Sequence, residues 1–198
     1  VRQYFLDRDE EVEATYRIAP LDAPGPPKPP APERVARRLR AVAAFTQIGT
    51  ELSAGFATTL ERGEPNSFTV NSADSAAAFY PTPDNVYVAG WYRLEPGEAL
   101  EITGRPPAGR YWSVLLMSRW MESLDFRHHR IILNQRDAVL EPDGRFRIVV
   151  ADRDPGVPNW LDTAGHRQGY VMFRWLRSEI EHPPQCRVVR IDDPGAGA

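Results

Sequence analysis

Residues 110–134 read RYWSVLLMSRWMESLDFRHHRIILN, and residues 154–175 read DPGVPNWLDTAGHRQGYVMFRW. YWSVLLM and GYVMFRW are short runs, apolar on both faces and rich in aromatic and β-branched residues, the pattern of covered strands. Between them RFRIVV follows the turn EPDG, where proline presets its own φ and glycine accepts a positive one. Three of the four histidines and four of the five tryptophans lie between Arg110 and Trp175, so this stretch also holds most of the chemistry the chain offers.

Working outward, DNVYVAGWYRL reads as another covered strand, EALEIT as an alternating strand at an edge, and HRIILN and CRVVRI as further strands. Strands at this spacing, joined by long loops, predict a mainly β protein with a two-layer, jelly-roll-like β-sandwich. That sandwich is expected over residues 64–198. Residues 33–63 change period: Val35, Leu39, Val42, Phe45, Ile48, Leu52, Phe56 and Leu60 recur at three and four, one apolar stripe on an amphipathic helix. Pro32 suits its first turn and Gly63 the position past its end, while Gly49 and Gly55 allow a kink. The stripe carries no paired acid or histidine, so it is a packing face against this sheet or a partner's.

Residues 1–32 form an N-terminal arm. VRQYFLDR and EATYRIAPL read as a β-hairpin about an acidic tract, followed by six prolines between Pro24 and Pro32 that favour a semi-rigid extended strap. The stretch GEPNSFTVNSADSAAAFYPTPDN (63–85) reads as loop with room for one helical turn.

A net charge of −3 and a pI near 5.9 give no electrostatic reason for nucleic acid or an anionic membrane as partner. The single cysteine, Cys186, excludes an internal disulfide and a cysteine-built zinc site, and it opens a strand as a small buried hydrophobe. No apolar run approaches a membrane span and no leader is visible, so a cytoplasmic location is expected. Phosphate loops and the serine elbow are missing, and no cofactor is implied.

The motifs YWSVLLM, WMESLDFRHHRI, LEPDGRFRIVVADRDPG and NWLDTAGHRQG resemble the family called domain of unknown function 1214, most closely its longer actinobacterial members. The resemblance runs over about residues 84–191. It implies a jelly-roll-like sandwich forming the C-terminal part of a larger protein, and it brings no established chemistry. The broader family tends to follow NWL with proline and small residues. Asn159-Trp160-Leu161 is then more architectural, and Asp162 and His166 belong to the narrower group.

Asp162 and His166 stand four apart in a glycine-containing loop that can fold back, so the carboxylate could orient the imidazole for acid–base work. The structural alternative has Asp162 capping the turn and His166 on backbone. Glu122 and Asp125 could act as a carboxylate pair or simply pair with Arg119, Arg127 or Arg130. His128 and His129 are adjacent and point oppositely in a strand, which disfavours a shared metal. Three readings follow. A binding domain would hold a small polar or amphipathic ligand in a pocket of Trp120, Phe126 and Trp160, with Asp125, Arg127, His129, Asn159 and His166 as polar anchors. A hydrolase or lyase would use His166, Asp162 and Glu122. A structural domain would pack on a preceding domain or second subunit through the helix.

Overall fold

A computed structural model describes residues 3, 5, 9–22, 25, 29–70, 84–178 and 183–191. The chain divides into two compact units, residues 1–44 and 45–198.

In the first unit the described residues of 9–22 adopt no strand, against the expected hairpin. Gln3 donates to the Val12 carbonyl at 3.1 Å and accepts from the Ala14 amide at 2.8 Å. Most of the first expected strand lies outside the described residues. A single helix, α1 (Pro32–Arg62), starts in this unit and ends in the next, without a break at Gly49 or Gly55. The Ala31 carbonyl accepts from Arg34 and Val35, Glu33 sits in the first turn and Arg62 in the last, matching the helix dipole.

The second unit is a mainly β sandwich, as the alternation of apolar runs predicts. Its strands are β1 (Phe68–Val70), β2 (Asn85–Arg93), β3 (Glu98–Gly104), β4 (Tyr111–Met117), β5 (Ile132–Asn134), β6 (Phe146–Ala151), β7 (Trp160–Asp162), β8 (Gln168–Leu176) and β9 (Gln185–Arg190). One sheet has the order β1-β2-β8-β4-β5 and the other β7-β6-β3-β9. Neighbours are antiparallel except β6 and β7. The short strands β1 and β7 lie in stretches that carry no strand pattern in the sequence. The stretch 71–83, expected as loop, is outside the described residues.

Between the sheets, Phe146 packs on Trp112 (ring centroids 5.4 Å) and Phe173 (5.7 Å), and Phe68 meets Phe173 edge-on at 5.5 Å. The opposite face of the first sheet is also apolar, which is why β2, β4 and β8 lack alternation. There the last turns of α1 form the cover: Ala57 is fully buried and Phe56 stacks on Tyr170 at 5.9 Å. Glu61 pins the helix through Arg119 at 3.2 Å and Arg93 at 3.6 Å.

β3 corrects the expected edge strand. It is central, between β6 and β9, and buried through Ala99–Ile102. The polar position that mimics an edge is Glu101, whose buried carboxylate bridges Arg147 of β6 (2.7 Å) and Arg187 of β9 (2.6 Å). Its charge is answered from both neighbouring strands. Cys186 on β9 donates to the Asn66 carbonyl, and burial, with Glu64 nearby, pushes its thiol up to about 11.

Gly169, where β8 passes between β2 and β4, has no room for a side chain. A Cβ there would stand 2.5 Å from the Met117 carbonyl oxygen and 3.1 Å from the Tyr92 ring. Gly169→Ala should therefore lose about 1–3 kcal/mol of stability in urea unfolding. A midpoint equal to wild type would show that the strands part without cost.

Candidate functional site

After β4 the chain turns tightly at Ser118–Glu122, with Met121 in the left-handed region (φ 61°) and Ser118 Oγ donating to Glu122 at 3.2 Å. It then returns beside its own strand, where the Ile131 carbonyl accepts from Leu116. The segment 118–131 is thus a fold-back at one end of β4, and it carries Trp120, Phe126, Arg127, His128 and His129.

The segment 158–167 comes from the other sheet. Asp162 ends β7, and a two-residue turn follows: Ala164 (φ 49°) and Gly165 (φ 82°) are both left-handed, closed by the His166 amide donating to the Thr163 carbonyl at 2.9 Å. This is the mirror-image turn that Gly165 suits and Ala164 adopts at a steric cost of about 1 kcal/mol. The expectation that this glycine-containing loop folds back is met.

The two segments meet through three hydrogen bonds. His129 Nδ1 lies 2.7 Å from Asp162 Oδ2, while Asp162 Oδ1 accepts from the Ala164 amide at 2.8 Å. The Asp162 amide also donates to the Arg130 carbonyl, and Arg130 donates to the Pro158 carbonyl at 2.7 Å. An ionised carboxylate only accepts, so Nδ1 carries the proton, and in the neutral imidazole Nε2 is then the acceptor. The Asp162 side chain is largely covered, whereas 37% of the His129 side chain is exposed.

This changes the expected acid–base pair. Asp162 caps its turn and orients a histidine, but that histidine is His129, thirty-three residues away in sequence, and not His166. The reason is the turn: it carries His166 past the carboxylate, so the aspartate meets the segment that pairs beside it. His166 instead lines a cleft of about 230 Å³ with Glu95, Glu98, Asp152, Thr163 and Arg167, and its carbonyl accepts from the buried Tyr92 hydroxyl at 3.3 Å. None of Trp120, Phe126, Arg127 or His129 lines that cleft. Its acids and Arg167 come from three separated segments and no spacing in the sequence announces them. Thr163 Oγ1 beside it is buried without a hydrogen-bond partner.

The remaining predicted residues divide. Asp125 accepts from His128 Nδ1 at 2.8 Å and from the Arg127 amide, and these bonds hold its carboxyl below the usual range. Glu122 is engaged by Ser118 and Arg127 is largely exposed, so each of the two acids is tied to its own neighbours. Trp120 and Phe126 are exposed. Asn159 and Trp160 are engaged within the fold. Asn159 is 3% exposed, with its amide wholly engaged by backbone. Trp160 donates Nε1 to the Ala151 carbonyl and packs on Ala99, Val149 and Ala151. Among the described residues no ring contact joins Trp120, Phe126 and Trp160. Among the described residues no group of three or more His, Cys, Asp or Glu is placed to hold a metal ion.

The comparisons with known proteins bear on the same segment. Residues 91–179 match the family described as protein of unknown function, DUF1214. That match contains the end of β2, all of β3 to β8 and both halves of the His129–Asp162 contact, and it supports the family suggested by the sequence motifs. The chain is also similar to an uncharacterised protein of Burkholderia cenocepacia, at 34% identity and a TM-score of 0.84 over 94% of this chain. It spans about half (52%) of that protein's length. The VPA0106 protein of Vibrio parahaemolyticus matches over 60% of this chain and 34% of its own, at 19% identity and a TM-score of 0.47. No curated protein matches.

Proposed function

We propose that this domain binds a small polar ligand where the segments 118–131 and 158–166 meet, with His129 as the recognising group. The observation that carries the reading is the 2.7 Å contact from Asp162 to His129 Nδ1, made by a partly exposed imidazole. A carboxylate on Nδ1 presents Nε2 as an acceptor, so the matching ligand group is a hydroxyl, an amide N–H or an ammonium. The exposed indole of Trp120 and ring of Phe126 stand on the same segment and offer apolar surface beside it.

The same pair favours a second reading, a hydrolase or lyase in which Nε2 of His129 takes a proton and Asp162 stabilises the imidazolium. In that scheme His129 replaces His166 as base.

One series of variants tests both. Small hydroxylated and amine compounds are screened by thermal shift on the full chain. His129→Ala should cost about 1–2 kcal/mol of stability through the lost charge-assisted bond and abolish the shift given by any true ligand. His166→Ala should leave that shift intact. Ligand shifts that survive in His129→Ala would remove the site from consideration. Consumption of the ligand by wild type, lost in both His129→Ala and Asp162→Asn, would select the enzyme over the binding domain.

A further inference from the structure

Two surfaces of the first unit stand open. On α1, Val35 is exposed and Leu39 is 65% exposed, although their spacing puts them on one face of the helix. At about 100° per residue, Arg34 and Arg38 lie along one edge of that face. Neither forms an ion pair among the described residues. In the arm, Val12, Tyr16 and Ile18 recur at even spacing, the pattern of one edge of an extended chain, with Glu13 between them and Glu10 just before. Ile18 is 95% exposed and Val12 is nearly as open. An apolar row with acids and an apolar row with arginines occur on the same unit, and neither covers the other.

We infer that the arm of one chain docks on the first turns of α1 in a second copy, and that the exchange is reciprocal, giving a two-fold dimer. The observations favour a second copy over a fold-back of the same arm. In this structure the arm's apolar residues remain exposed. The charges are complementary: Glu10 and Glu13 of one copy meet Arg34 and Arg38 of the other. Because each chain carries both halves, a two-fold axis closes the contact with two identical arm–helix pairs. The helix N-terminus tolerates acids, so a charge reversal there leaves the helix intact.

Sedimentation equilibrium of the full 198-residue chain over a concentration series tests this. Wild type is expected to dimerise. Arg34→Glu/Arg38→Glu and Glu10→Arg/Glu13→Arg should each weaken the dimer by at least about tenfold, because like charges then face each other. Mixing the two variants should restore a dimer of one chain of each kind, since every arm then finds an oppositely charged helix. Circular dichroism confirms that each variant is folded. A wild-type monomer throughout the series overturns the proposal, as does a dimer that ignores both reversals. Two monomeric variants that stay monomeric when mixed overturn the arm-on-helix pairing.

Discussion

Asn159→Leu should lower the stability of the chain by about 3–4 kcal/mol, the largest loss expected from a near-isosteric change here. Its carboxamide oxygen accepts from the Val139 amide at 2.8 Å, and its nitrogen donates to the carbonyls of Val139 (2.7 Å) and Arg147 (2.9 Å). Leucine fills the same volume and answers none of the three. Each buried backbone group left unpaired costs about 1–3 kcal/mol, moderated where water or a small shift reaches it. The side chain joins the segment before β6 to the start of β7, so its loss also loosens the strand that ends in Asp162. Urea unfolding should show a lower midpoint at unchanged slope. A midpoint within error of wild type would mean that the bracket contributes nothing.

Glu101→Gln should cost about 2–4 kcal/mol at neutral pH. The carboxylate is 4% exposed and holds two guanidinium groups. Arg147 is largely covered, so solvent replaces its lost carboxylate contact poorly, whereas Arg187 is mostly exposed and solvent restores part of its loss. The pH dependence has a definite sign. Burial by itself would raise the carboxyl, but hydrogen bonds from Arg187 and Arg147 outweigh it and hold Glu101 below the ordinary value of 4.5. A depressed folded-state value makes the contribution complete above the unfolded value, and it drains away as pH falls through the folded one. The stability gap between wild type and Glu101→Gln should therefore be constant near neutrality and narrow below about pH 4.5. A gap that widens in acid would contradict the assignment.

Much of the fold was legible. The apolar runs at 85–93, 111–117, 146–151 and 168–176 are the buried strands, and the stripe from Val35 to Leu60 is one continuous helix. Where the reading departed from the structure, a local pattern lacked the information. EALEIT resembles an edge because Glu101 interrupts its apolar face, and only the arginines of β6 and β9 make that acid fit a central strand. β7 is three residues long and pairs in parallel with β6, which leaves no alternation to read.

The candidate site shows the same division. Periodicity and composition determined that this is a mainly β chain with one long amphipathic helix and that its ionisable groups gather in two loops. Spacing could bring Asp162 together only with a histidine nearby in sequence. The pairing with His129 depends on the turn at Ala164-Gly165 and on the Asp162 amide meeting the Arg130 carbonyl, contacts between sheets that no local pattern encodes. Element identity follows from short-range repetition along the backbone, whereas the partner of a carboxylate is set by chain reversals and long-range pairing, which exist only once the sheets have packed.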